Sequence, residues 1–169
     1  MNAGAFGGDL KGILVSVDLL LPDGRCESTP AAALRLGYRT SVLREEPAIG
    51  AILRVRLSLG RETPSSCLRR AHERIAERCG RLPVGASAGS VFRNPPSGLT
   101  AGQLLDYAGC KGMRVGAAVV SRQHANVIVN EGTNNAADVI SLIDRMKGRA
   151  LDAAGVELQE EIVRYDRIL

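Results

Sequence analysis

Ala88-Gly-Ser-Val-Phe-Arg-Asn-Pro-Pro96 sets one hydroxyl, Ser90, between a glycine and a bulky pair, just ahead of a proline turn. Gly89 lets the backbone come close to a ligand, Val91 and Phe92 anchor a strand, and Asn94-Pro95 turns the chain. Two readings stand side by side: a rigidly held hydroxyl at a strand end, or an ordinary strand followed by an Asn-Pro turn. The surrounding chain decides between them.

On the C-terminal side, Thr100 is placed to cap a helix over 101–107 with Leu104 and Leu105 facing inward, and Gly109-Cys-Lys-Gly112 ends it. Lys111 then stands in a glycine-flanked loop. The apolar runs 115–121 and 125–129 read as core strands joined by Arg122-Gln-His124. A lone histidine at that junction reads as a hydrogen-bonded structural residue rather than a proton donor. Asn135 caps a long helix through Ala154, with Val139, Ile143, Met146 and Ala150 as its buried stripe and Gly155 as its stop. A final strand is expected from Val156, and Glu157, Glu160 and Glu161 are the acids near the end.

On the N-terminal side, Pro83 to Ala88 is a small-residue connector. Thr63-Pro64 starts a helix that ends at Gly80, with Leu68, Ala71, Ile75 and Cys79 repeating at helical spacing. Its arginines read as a wet face, and the helix as the link between two domains. Ala48 to Leu59 reads as a strand with Ile49, Ala51, Leu53, Val55, Leu57 and Leu59 on one face and Arg54 and Arg56 on the other. Gly12 to Leu21, alternating Ile13, Val15, Val17 and Leu19, turns at Pro22-Asp-Gly24 and returns over 25–28 as a hairpin. Pro30 to Leu36 forms a short helix that ends at Gly37 and delivers Tyr38 and Arg39. Met1 to Asp9, rich in glycine, is a loop able to approach phosphates or a ring.

The 169 residues, 45% of them hydrophobic, suit one ordinary domain or two small ones. No apolar run approaches the roughly 20 residues that span a bilayer, and no secretory leader pattern follows Met1, which points to the cytoplasm. Cys26, Cys67, Cys79 and Cys110 are widely spaced, with no Cys-x-x-Cys pair and too few histidines for a zinc site. They read as reduced thiols, mostly buried, and no metal is expected. A net charge of +4 invites a nucleic-acid reading, but aromatics are 3% and the bases lie scattered among acids.

The Ser90 stretch resembles the serine motif of the UDP-N-acetylenolpyruvoylglucosamine reductase (UDP-N-acetylmuramate dehydrogenase) family, which reads roughly Ala-Gly-Ser-Phe-Phe-Lys-Asn-Pro. Four more stretches match the same family in the same order: Met1-Asn-Ala-Gly-Ala5, Gly37-Tyr-Arg-Thr-Ser41, Ala101-Gly-Gln-Leu-Leu-Asp-Tyr-Ala-Gly-Cys-Lys-Gly112 and His124-Ala-Asn-Val-Ile-Val-Asn130. The resemblance covers nearly the whole chain. It implies a flavoenzyme of peptidoglycan precursor synthesis that reduces UDP-N-acetylglucosamine enolpyruvate to UDP-N-acetylmuramate with FAD and NADPH.

Carried over position by position, the resemblance makes Ser90 the donor of a proton to carbon and Arg39 the active-site arginine. Read alone, a Tyr-Arg pair is usually a surface ion pair. Aligning Gly155-Val-Glu-Leu158 puts the functional glutamate at Glu161. The family's following arginine is displaced here, where the chain reads Ile162-Val163-Arg164, so Glu160 stands as the fallback. Asn2, Ala3 and Gly4 match the tail of the flavin-binding segment. Asn94, Lys111, His124 and Asn126 are the substrate-binding candidates, Lys111 being either a solvated loop lysine or a contact to the substrate diphosphate.

The resemblance also implies an α+β fold. Residues 1–60 would be the C-terminal part of an FAD-binding (PCMH-like) domain, and 61–169 the substrate-binding domain. The family's N-terminal flavin subdomain has no counterpart here, so the expectation is a fragment, a misplaced start or a shortened homologue, with self-association through the surface left open. Three functions follow: part of a working reductase, a flavin-free binder of UDP-sugars, or a basic nucleic-acid-binding protein.

Overall fold

The computed structural model of the chain describes residues 1–45, 50–96, 98–132 and 135–164. The fold is α+β, in two compact units, Met1–Thr63 and Pro64–Leu169.

The first unit opens with a small hairpin, β1 (Gly4–Ala5) against β2 (Gly8–Asp9). Its larger sheet has the antiparallel order β4-β3-β5, with β3 at Leu14–Leu20, β4 at Cys26–Pro30 and β5 at Ala51–Leu57. Between β4 and β5 lie a 3₁₀ turn, Ala31–Leu34, and the short helix α1, Val42–Glu45. Leu14, Val17, Leu19, Leu34 and Leu36 form the core. The alternation expected of β3 is corrected: Leu14 and Ser16 are buried and Val15 is 50% exposed, while Val17 and Leu19 are buried as expected. The register against β5 shifts between Leu14 and Ser16, and a one-residue slip exchanges the faces of a strand.

The expectation that β5 has one sheltered apolar face also fails. Ile52, Leu53, Val55 and Leu57 are all exposed, because β5 is the edge of its sheet. Arg54 and Arg56 each reach back to Asp18 of β3 at 3.7 Å. Ile49 lies outside the described residues.

The second unit begins with α2, Pro64–Arg81, which runs one residue past Gly80. No described residue of α2 is buried: Leu68 is 61% exposed and Ile75 59%, so the expected stripe is a surface feature. Periodicity reports which residues share a face, and only a partner element can bury that face. Carboxylate and guanidinium groups lace the helix instead, Glu77 pairing with both Arg74 and Arg81.

Helix α3, Ala101–Tyr107, starts at the expected cap. The Thr100 hydroxyl accepts from Gln103 N while the Gln103 side chain accepts from Thr100 N. Helix α4, Ala136–Ala154, is capped by Asn135 and closed by Gly155 in the left-handed region at φ 65°. It buries Leu142, Ile143, Met146 and Ala150. The run 115–121 is not one strand but two, β6 (Arg114–Val115) and β7 (Ala118–Val120), around a turn at Gly116. The Asp138 carboxylate sits 2.0 Å from where a side chain on Gly116 would begin, so only glycine fits.

β7 pairs with β8, Ile128–Asn130. Single bridges carry the ladder further: Ala86 to Asn130, Ser90 to Val127, and Phe92 to Glu160. Among the described residues, the last of these is all that forms of the strand expected from Val156. None of the four cysteines forms a disulfide. Only Cys110 is buried, which pushes its thiol pKa up, while Cys26, Cys67 and Cys79 are exposed and correct the expectation of mostly buried thiols. Among the described residues no helix is long and apolar enough to cross a membrane, and no cluster of His, Cys, Asp and Glu could hold a metal.

Candidate active site

Everything near Ser90 is organised by Val91. Its N–H donates to Asn126 O at 2.9 Å on one side, and its carbonyl accepts from Glu161 N at 2.8 Å on the other. One residue on, the Asn126 side chain replaces a neighbouring strand. Its Oδ1 accepts from Phe92 N at 2.9 Å and its Nδ2 donates to Phe92 O at 2.8 Å. Asn126 is 3% exposed and Phe92 1%, so this amide satisfies two backbone groups that water does not reach. The hydroxyl of Ser90, itself exposed, projects from a backbone held on both sides.

Two acids follow each other on the far side of that strand. Glu160 is taken up by cations: its carboxylate meets Lys147 Nζ at 2.6 Å and Arg164 at 2.8 and 3.0 Å. Burial pushes its pKa up, but the hydrogen bonds and charges of Lys147 and Arg164 outweigh that and hold it below the usual glutamate range. Glu161 is half-buried. Its N–H shares the Val91 carbonyl with Ile162 N at 3.5 Å, two residues facing one, as in a β-bulge. The structure therefore brings Ser90 and Glu161 to the two sides of one residue.

His124 Nδ1 accepts from Asn126 N at 3.2 Å. With Lys111 it lines a cleft of about 200 Å³ that also includes Thr100, Gln103, Asp106 and Gln123. Lys111 Nζ is 2.5 Å from Asp106 there. Asn94 joins neither group: its Oδ1 accepts from Ala101 N at the start of α3. Two further clefts, of about 350 and 390 Å³, share Ser87 and Gly89, the residues leading into Ser90.

Arg39 belongs to the first unit. It sits third in a tight turn in which Gly37 and Thr40 exchange backbone hydrogen bonds at 3.2 and 3.4 Å. At φ 55° it occupies a region that disfavours a side chain by about 1–2 kcal/mol. Its guanidinium lies 5.3 Å from the centre of the Tyr38 ring.

Residues 2–4, the expected flavin contact, run into the β1–β2 hairpin. Asn2 is buried, donates to Asp9 at 2.8 Å and accepts from Lys11 N at 2.9 Å, while Ala3 O accepts from Leu10 N. A side chain on Gly4 would begin 2.9 Å from Gly8 O. These residues spend their polar groups on Asp9, Leu10 and Lys11.

Sequence reading did not signal the two grips. The Asn126 clamp spans 34 residues, and the ion cluster joins a helix lysine to Glu160 and Arg164 with no motif between them.

The α+β unit that carries Ser90 and Glu161 matches a known domain class. Residues 82–165 match the family described as UDP-N-acetylenolpyruvoylglucosamine reductase, C-terminal domain. Reductases of that name from Heliobacterium modesticaldum and Chloroflexus aurantiacus are 42% and 40% identical to this chain, over 96% and 95% of it. The crystal structure of UDP-N-acetylenolpyruvylglucosamine reductase from Thermus caldophilus superposes with a TM-score of 0.82 at 37% identity, covering 96% of this chain and 57% of that one. The chain belongs to the UDP-N-acetylenolpyruvoylglucosamine reductase family, and it spans about half the length of the curated relatives it matches, 51% and 55%.

Proposed function

We propose that this chain serves the reduction of UDP-N-acetylglucosamine enolpyruvate to UDP-N-acetylmuramate, a cytoplasmic step of peptidoglycan precursor synthesis. FAD, when bound, would supply the hydride chemistry, with NADPH as the reductant. Ser90 gives a proton to the substrate carbon next to the one that takes the hydride. A free serine is a weak acid, so Glu161 is its partner in charge, orienting the hydroxyl or relaying the proton. Arg39 meets the substrate carboxylate with its planar fork and stabilises the enolate that develops there. Asn94 and Lys111 bind the sugar nucleotide, Lys111 after exchanging Asp106 for a diphosphate oxygen. His124 and Asn126 hold the Ser90 strand and its turn. The backbone of residues 2–4 would border the flavin where it is bound.

The observation that supports this most directly is the shared bonding of Val91, which sets Ser90 and Glu161 about one strand. A second reading, a UDP-sugar binder that holds no flavin, draws on the closed hydrogen bonding of Asn2. Titrating residues 1–169 with FAD by fluorescence quenching, with and without UDP-N-acetylglucosamine enolpyruvate, separates the two. Saturable FAD binding favours the reductase, whereas sugar-nucleotide binding without flavin favours the binder. In a preparation that turns over, Ser90→Ala is expected to cost about 10²–10⁴ in kcat while leaving substrate binding intact. An unimpaired Ser90→Ala variant refutes the proton-donor role.

A further inference from the structure

We infer that Glu160 is a positioning residue, whose grip by Lys147 and Arg164 creates the bulge that turns Glu161 toward the Ser90 strand. This rests on the role proposed above for Glu161. In regular extended backbone, consecutive side chains leave opposite faces, so Glu160 and Glu161 would part company. The bulge breaks that alternation, since Glu161 N and Ile162 N both point at Val91 O, at 2.8 and 3.5 Å.

What holds the bulge is its flanks. Glu160, just before it, is fixed to α4 by Lys147 at 2.6 Å, next to Met146 of the core. Arg164, just beyond it, returns to the same carboxylate with two hydrogen bonds, at 2.8 and 3.0 Å. Residues 161–163 are thus the arc of a loop whose two ends meet at one carboxylate. The side chains of Glu160 and Arg164 are 13% and 16% exposed, so this pair is largely shielded from water, while Lys147 is 34% exposed. The motif arginine missing directly after Ile162 stands one residue further on, as Arg164, and reaches back to Glu160.

The test is Glu160→Gln in the full chain, read by amide hydrogen exchange. Exchange at Glu161 and Ile162 should rise by about tenfold or more, with Leu104 and Leu105 of α3 unchanged. Arg164→Lys, which keeps the charge and loses the fork, should fall between. Exchange at Glu161 within about twofold of the parent, or an equal rise at every amide, overturns the inference. In a preparation that turns over, Glu160→Gln should lower kcat more than it moves KM, and Glu160→Asp should restore part of it. Faster exchange with unchanged turnover overturns the positioning role. If Glu161→Gln is silent as well, the reading of Glu161 falls with it. A damaging Glu161→Gln beside a harmless, fully protected Glu160→Gln refutes the clamp alone.

Discussion

Replacing Asn126 by alanine removes a side chain that acts as a strand. The native amide satisfies Phe92 N at 2.9 Å and Phe92 O at 2.8 Å, inside a region where both residues are buried. Alanine leaves both backbone groups without a partner, and each orphaned buried group costs about 1–3 kcal/mol. The expected loss is therefore about 2–6 kcal/mol, before any water enters the gap. With a urea slope of about 1–2 kcal/mol/M, the unfolding midpoint of the second unit should fall by about 1–6 M. Aspartate does not rescue the site: it can still accept from Phe92 N, but it turns an acceptor toward Phe92 O and buries a charge. The assay is urea unfolding followed by circular dichroism, with amide exchange at Phe92 and Val91 as the local probe. A shift below about 0.5 kcal/mol, with Phe92 protection unchanged, would refute the claim that this amide holds the Ser90 strand.

Two further outcomes can be checked. Glu160 has a folded pKa below the ordinary glutamate value of 4.5, so its ionised form stabilises the fold above that value, and the contribution disappears as pH falls through the folded value. Thermal stability should therefore drop in acid for the parent chain, and the gap between it and Glu160→Gln should close there; a gap that stays constant as the pH is lowered from neutral into acid contradicts the ion cluster. On β5, the exposed edge residues Val55 and Leu57 make self-association the expected behaviour at high concentration. Leu57→Lys should reduce it in sedimentation experiments, and a parent chain that stays monomeric throughout removes the basis for that expectation.

Much of the second unit could be read residue by residue. Thr100, Asn135 and Gly155 mark the ends of α3 and α4 because a cap is a local contract between a side chain and backbone groups within a turn. Likewise the stripe Ile143, Met146 and Ala150 names the face that is buried. The same periodicity misled in α2, where Leu68 and Ile75 repeat correctly and remain exposed, since spacing contains no information about whether a partner exists. In β3 a register shift that no residue type announces exchanged Ile13 and Val15 for Leu14 and Ser16.

The family and its ordered motifs were legible from residue identities alone, because chemistry at a site demands particular side chains at particular places. The ion cluster around Glu160 was not, and nor was the work of Asn126. Both depend on partners far away in the chain: Lys147 on α4, Arg164 beyond the bulge, and Phe92 a whole domain core earlier. A buried polar group must find its partner wherever folding brings one, and that pairing is settled in three dimensions.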